Sequence, residues 1–351
     1  MTTLADPELH RFALGLSENP FAPLPSVIAA LDRSARCANR YPEFLPNALA
    51  EIIAEHEEID SGQVVVGAGA TGVALQLLRA LTEPGRTIVF ATPTFDGYPI
   101  LARMCGLGLE AIPLQDDGQQ DLDRMLRAVD DRTSAVIVCR PHNPTGTVLP
   151  TNTLLEFVEQ IPKHVPVILD EAYIEFVSAD LRMVSRILIA DHPNVVVLRT
   201  FSKAYGLAGL RIGYAVASAE IARRIRLLQL PFGMVAAAES AVSASYAAAS
   251  ELQCRVESIV AEREGLRAAL RQRGIFSPAS HANFLYLPGA NIGDMLSAFG
   301  IASRRYPNGD ARITVGDPVA GRAVLDAVDA GLRGWDSGGP ERSQGSSALT
   351  R

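Results

Sequence analysis

The sequence predicts an α/β fold: a mostly parallel central sheet with helices on both faces, followed by a smaller α+β C-terminal domain. Three features lead there. The apolar, β-branched runs at 87–91, 135–139, 165–169 and 194–197 read as strands buried on both faces, the habit of parallel strands. Helical patterns separate these runs, as in an open sheet covered on both sides. Beyond Gly274 the segments become short and mixed.

The 351 residues allow one large domain or two ordinary ones, and a hydrophobic share of 48% supplies a sizeable core. A net charge of -7 does not recommend nucleic acid or an anionic membrane as partner. No apolar run reaches membrane-spanning length, and Met1-Thr2-Thr3-Leu4 lacks the start of a signal peptide, so a cytoplasmic location is expected. Cys37, Cys105, Cys139 and Cys254 are scattered without a CxxC, and the histidines are dispersed. Neither a disulfide frame nor a metal site is expected.

Residues 1–40 read as an N-terminal arm. Ser17-Glu18-Asn19-Pro20-Phe21-Ala22-Pro23-Leu24-Pro25 is extended, an amphipathic segment follows from Ser26 to about Cys37, and Asn39-Arg40-Tyr41-Pro42 comes next. Such an arm cannot bury itself. Phe21, Leu24, Val27, Ile28 and Leu31 argue that it lies across another surface, on its own domain or a second subunit.

A large domain, 41–230, starts with a helix at 49–56 and a strand at 63–66. Gly67-Ala68-Gly69 stops that strand, and Ala70-Thr71 opens a helix that runs through Leu81. A glycine turn feeding a helix start leaves N–H groups at the positive end of the helix dipole, so it is an anion site as well as an ordinary turn. The strand at 87–91 leads to Phe95, just past a strand end where open α/β sheets hold ligands; it could stack on a flat ring or fill the core. The strand at 135–139 runs into Arg140-Pro141-His142-Asn143-Pro144-Thr145-Gly146, a tight turn that aims the Asn143 amide over the sheet edge.

The strand at 165–169 ends in Asp170-Glu171-Ala172-Tyr173. An acid directly after a buried strand is expensive without a cationic partner. A protonated pyridine nitrogen is one such partner; capping a helix is the plainer reading. Tyr173 could reach the oxygen of such a ring. The strand at 194–197 feeds Leu198-Arg199-Thr200-Phe201-Ser202-Lys203-Ala204-Tyr205-Gly206-Leu207-Ala208-Gly209-Leu210-Arg211. A lysine among small residues past a strand reacts as an amine when its pKa is depressed. Thr200, Ser202 and Arg211 would hold a phosphate. Together they suggest Lys203 in a Schiff base with pyridoxal phosphate; an isolated Ser-Lys would be only a polar turn.

A strand at 212–217 follows, then helical segments at 219–230 and 235–272 separated by Pro231-Phe232-Gly233. The second reads as one long amphipathic helix, opening a linker-and-small-domain unit at 231–335. A strand at 282–287 carries Phe284 and Tyr286. Arg304-Arg305-Tyr306-Pro307 precedes Asp310-Ala311-Arg312-Ile313, where Arg312 could fork onto a carboxylate or lie on an exposed edge. The polar stretch 336–351 reads as a disordered tail.

On these motifs the chain resembles a fold-type I pyridoxal-phosphate aminotransferase. It is most similar to the branch holding histidinol-phosphate aminotransferases and the aromatic, or phenylalanine, aminotransferases of actinobacteria. The lysine stretch from Thr200 to Arg211, Asn143-Pro144-Thr145-Gly146 and Asp170-Glu171-Ala172-Tyr173 carry the resemblance. It implies pyridoxal 5'-phosphate as cofactor, with Lys203 forming the aldimine and moving the proton between Cα and C4′. It places Asp170 on the pyridinium, Asn143 and Tyr173 on the ring oxygen, and Phe95 on the ring face. Ala70, Thr71, Thr200, Ser202 and Arg211 fall to the phosphate. It implies a homodimer in which Tyr41 reaches the neighbouring site. Arg312 would clamp the donor's carboxylate or a histidinol phosphate group, with Arg304 and Asn19 also on the substrate side.

The family's Gly-Asn-Gly-Ser-Asp-Glu turn reads Gly67-Ala68-Gly69-Ala70-Thr71-Gly72 here, which leaves the phosphate to backbone amides. The family's Tyr-x-Pro-Gly ahead of Glu18-Asn19-Pro20 is absent, and Pro231-Phe232-Gly233-Met234-Val235 lacks the usual polar residue. The implied reaction moves the amino group of an aromatic amino acid to 2-oxoglutarate, a donor class favoured by Phe284 and Tyr286. Histidinol phosphate is the alternative donor. Decarboxylation of a phosphorylated amino acid and a non-catalytic binding role are further readings; the last needs a lost lysine or an added DNA-binding domain, and neither is seen.

Overall fold

The computed structural model describes residues 11–289 and 291–336. Its first strand, β1 (Phe12–Ala13), belongs to the arm and pairs in parallel with Ile301 and Ala302 near the C-terminus. The arm therefore lies on its own chain. Its helix Pro25–Ala35 buries Val27 and Ala30, and Ser34 Oγ lies 2.6 Å from Ser240 Oγ.

Strand and helix then alternate through β2 (Val64–Ala68), β3 (Thr87–Thr92), β4 (Gly108–Pro113), β5 (Thr133–Cys139), β6 (Val167–Asp170), β7 (Val195–Thr200) and β8 (Ile212–Ala217). They form one seven-stranded sheet in the order β2-β8-β7-β6-β5-β3-β4. Only β8 runs against the rest, antiparallel to both β2 and β7. The expected mostly parallel sheet is what forms.

Side chains alternate across this sheet. Val64, Val66, Val136, Val138, Val167, Leu169, Val195 and Val197 join the core on one face. Val65, Ile88, Phe90, Ile137, Ile168, Val196 and Leu198 join the core on the other. A sheet with two apolar faces needs helices on both. Asn47–Glu57, Thr151–Gln160 and Ala238–Ala247 cover the first; Gly69–Leu81, Gly97–Met104 and Ala219–Arg226 cover the second. The edge strand β4 has no apolar run to announce it, since only its Ile112 is buried.

The C-terminal unit holds β9 (Phe284–Leu287), β10 (Ile301–Ala302), β11 (Arg304–Arg305) and β12 (Ala311–Thr314). β11, β12 and β9 make an antiparallel sheet in that order, and β10 takes β1. Arg304 stands opposite Arg312 in register, so both side chains leave the same face of the small sheet.

The single helix expected over 235–272 is two, Ala238–Ala247 and Ala249–Gln272, parted at Ala248 (φ −95°, ψ 30°). Ala238, Ala241 and Val242 pack into the large core, whereas Leu266 and Leu270 pack into the small one. One straight rod cannot face both surfaces, so the chain turns. The tail expected over 336–351 lies outside the described residues, apart from Asp336, which ends the helix Pro318–Asp336. Among the described residues no helix is long and apolar enough to cross a membrane.

Candidate active site

Because β2, β3, β5, β6 and β7 run the same way, their carboxyl ends deliver polar residues to one rim of the sheet. A cavity of about 390 Å³ opens there, bounded also by Gly15, Leu16 and Glu18 of the arm and by Arg304 and Arg312 of the small sheet. It gathers Ala70, Thr71, Phe95, Asn143, Asp170, Tyr173, Thr200, Ser202, Lys203 and Arg211.

One end is built from close backbone approaches. Gly69 opens its helix at φ +73°, and a Cβ there would stand 2.2 Å from Arg211 Nη2. A Cβ on Gly213 would stand 2.2 Å from the Ala70 nitrogen. These glycines let Arg211 and β8 close on the first helical turn, whose N–H groups have no intrahelical acceptor. Arg211, itself at φ 54°, donates from Nη1 to the Ala208 carbonyl at 3.0 Å. Thr200 Oγ1 donates to Ser202 Oγ at 3.0 Å and accepts from Ser202 N at 3.2 Å, which fixes the hydroxyl pair beside this end.

Asp170 lies buried on the floor. Tyr98 donates its hydroxyl to Oδ2 at 2.5 Å, and the Ala172 amide donates to Oδ1 at 3.0 Å. Burial pushes the carboxyl pKa up; these two donors and the nearby Lys203 charge pull it back. Sequence reasoning did not assign a role to Tyr98. The spacing Phe95-x-x-Tyr98 at a helix start, which turns both rings to one side, is the signal that could have found it; the rings meet edge to face at 5.5 Å.

Lys203 Nζ donates to the Ser17 and Leu16 carbonyls at 3.1 and 3.3 Å. Burial first, then the Arg312 charge, lower its pKa to about 7, against the pull of Glu18 and Asp170. Tyr173 sets its ring 5.5 Å from Nζ and packs edge to face on Phe284.

Arg312 is buried, donating to Asn143 Oδ1 and, at 2.8 Å, to the Gly15 carbonyl. Its Nε is buried without a partner. Arg304 is ion-paired with Asp96 of the large sheet's rim. Asn19 does not line the cavity. Its Nδ2 donates to the Lys203 and Ala204 carbonyls at 3.1 and 2.9 Å, and its Oδ1 accepts from Phe21 N, so it braces the lysine's backbone. Tyr41 also stands outside its own chain's cavity, 84% exposed, its ring 4.8 Å from that of Phe232.

These residues fit pyridoxal 5'-phosphate. The glycine-shaped cradle beside Arg211 suits a phosphate, and the buried Asp170 suits a protonated ring nitrogen. Among the described residues no cluster of His, Cys, Asp and Glu could hold a metal ion.

The family model for aminotransferase class I and II matches residues 10–327. The chain is 41% identical to the aromatic amino acid aminotransferase of Cutibacterium acnes over 325 residues, 92% of each chain. It is 42% identical to the enzyme of that name from Rhodococcus opacus over 319 residues, 89% of this chain and 88% of the relative. Among solved structures it is similar to histidinol-phosphate aminotransferase from Sinorhizobium meliloti in complex with pyridoxal-5'-phosphate, with a TM-score of 0.86 at 28% identity, covering 93% of this chain and 92% of that one.

Proposed function

Because the chain belongs to the class I and II aminotransferase family and uses pyridoxal 5'-phosphate, we propose that it moves the amino group of an aromatic L-amino acid to 2-oxoglutarate. Lys203 carries this reading: a half-buried amine with a pKa near 7, in one cavity with a buried carboxylate. An amine so poised is uncharged in useful amount at neutral pH.

When bound, the cofactor supplies an electron sink for the pair left at the donor's Cα as its proton departs. The chain's residues do the rest. Lys203 would be the amine that holds the cofactor's aldehyde carbon and, displaced by the donor's amine, would accept the donor's Cα proton. Asp170 keeps the ring nitrogen protonated, and Tyr98 fixes the carboxylate's orientation. Asn143 and Tyr173 would hold the ring oxygen, and Phe95 would cover a ring face. Arg211, Ser202, Thr200 and the N–H groups at Ala70 and Thr71 hold the phosphate. Arg312 binds the donor's carboxylate, trading the Asn143 carboxamide for it.

The aromatic donor is supported by the two relatives so named, which match this chain over nearly its whole length. Histidinol phosphate is the second reading, favoured by the structural likeness. We infer that a second copy of the chain completes the site: Tyr41, Phe44, Leu230 and Phe232 are exposed apolar residues, and in a homodimer Tyr41 would reach the partner's phosphate. A donor panel of phenylalanine, tyrosine and histidinol phosphate, each with 2-oxoglutarate, tests the proposal. Turnover highest with an aromatic amino acid supports it; turnover confined to histidinol phosphate overturns it.

A further inference from the structure

Gly97 opens the helix Gly97–Met104, yet its backbone does not call for glycine. Its φ is not positive, and glycine is a poorer helix former than alanine. What it supplies is room. A Cβ there would stand 2.2 Å from Cε1 of Phe95, 2.5 Å from Cζ and 3.0 Å from Cδ1, and these three ring atoms are the nearest it would meet. One edge of the Phe95 ring therefore occupies the place that a side chain at 97 would take. The Phe95 carbonyl accepts from Tyr98 N at 3.0 Å, which folds residue 95 back over the first helical turn. Tyr98 meets the same ring edge to face at 5.5 Å and is itself held by Asp170. Phe95 and Tyr98 both line the cavity.

We propose that Gly97 is a positioning residue: by carrying no side chain it sets the pose in which the Phe95 ring covers the cofactor's ring. This rests on the reading above that puts Phe95 on a ring face. Carbon atoms in contact rest about 3.5–4.0 Å apart, so a methyl group at 97 must move the ring edge by more than about 1 Å. The main chain of Phe95 is tied to Tyr98 N, so the ring is what gives way. It swings either away from the cofactor's ring or into its place. Aromatic pairs depend on ring separation and tilt, and both movements weaken the contact. Glycine at the start of this helix thus serves the wall of the cavity at the expense of the helix.

The test uses the full chain, freed of cofactor and titrated with pyridoxal 5'-phosphate, with binding followed by the absorbance of the bound cofactor. Wild type, Gly97→Ala, Phe95→Leu and the double variant are compared. Leucine keeps apolar bulk but ends short of Cε1 and Cζ, the two atoms nearest the new methyl group. Gly97→Ala and Phe95→Leu each weaken binding about five- to ten-fold, the loss of one aromatic contact. The double variant binds no more weakly than Phe95→Leu alone. Inorganic phosphate, measured as a competitor, binds Gly97→Ala as it binds wild type, because Gly97 takes no part in the phosphate grip. After reloading, the visible circular dichroism of Gly97→Ala, per unit of cofactor absorbance, departs from that of wild type. Wild-type affinity in Gly97→Ala beside a weakened Phe95→Leu overturns the proposal and leaves Phe95 on the ring. Losses that multiply in the double variant, an equal loss toward inorganic phosphate, or an unchanged dichroism also overturn it. Full affinity in both single variants removes Phe95 from the ring face, and the proposal with it.

Discussion

The hydroxyl of Tyr98 donates to Oδ2 of Asp170 at 2.5 Å, with both side chains out of water. The donor stabilises the ionised carboxylate against a burial that favours its neutral form. Tyr98→Phe removes it, so the Asp170 pKa rises further and the ionised form is lost at higher pH as the solution is acidified. We expect kcat/KM for phenylalanine to fall about ten- to a hundred-fold, as losing a hydrogen bond to a charged group implies. The acid limb of the pH profile should move upward. A limb that stays in place would count against this role for Tyr98.

Lys203, with a pKa of about 7, loses its charge roughly three pH units below an ordinary lysine. In cofactor-free enzyme, acetylation of Lys203 by acetic anhydride, read by peptide mass spectrometry, should rise with pH to a midpoint near 7. A midpoint typical of surface lysines would refute the depressed amine. The folded chain releases this proton before the unfolded chain does. Its contribution to the stability of the cofactor-free protein therefore grows as pH rises from about 7 toward 10. Lys203→Ala should abolish transamination.

Gly69→Ala puts a methyl group where Arg211 Nη2 now lies and asks alanine to hold φ +73°. Arg211 must withdraw. Pyridoxal phosphate should bind to the cofactor-free variant at least about ten-fold more weakly, the loss of one charge-assisted contact. Equal dissociation constants, measured by fluorescence titration, would show that Arg211 does not hold the phosphate.

Arg199 joins two buried acids. Its Nη1 donates to Glu57 at 2.7 and 2.9 Å, and its Nε and Nη2 donate to Glu171 Oε2 at 3.0 and 2.7 Å. Glu171 follows Asp170 and Arg199 precedes Thr200, so the guanidinium braces the two strand ends that carry the floor and the lysine turn. Arg199→Met strips buried Glu171 of its cation and leaves Glu57 with only the Tyr214 and Ser185 hydroxyls, and should cost about 3–5 kcal/mol of stability. Urea unfolding at pH 7 measures it; a loss under about 1 kcal/mol would assign the brace to the exposed-pair class.

The sheet and the rim were legible because a buried parallel strand announces itself twice, in a β-branched run and in the polar residue that ends it. Asp170 at the end of β6 and Thr200 at the end of β7 are such endings. β4 gave no such run, since it lies at an edge and buries only Ile112. The break at Ala248 is silent locally because alanine favours helix on either side; the two cores it serves decide it. Tyr98 meets its carboxylate, and Arg304 meets Asp96, across long stretches of chain, and no local pattern pairs them. Asn19 was legible as a residue of note but not as a ligand of the lysine's own backbone, because its partners are carbonyls that every residue has.

The close seating of β8 on the first turn of Gly69–Leu81 puts the proposed phosphate grip in the main chain. A residue-by-residue truncation survey would pass over it, because trimming Thr71 or exchanging Ala70 leaves the amide hydrogens where they are. Of the main-chain part of the grip, such a survey would register only Gly69 and Gly213, while Arg211, Thr200 and Ser202 would register as side chains. The wording of this turn is therefore free to drift at Ala68, Ala70 and Thr71, while a Cβ at Gly67, Gly69 or Gly72 would meet a neighbour at 3.0, 2.2 or 3.3 Å.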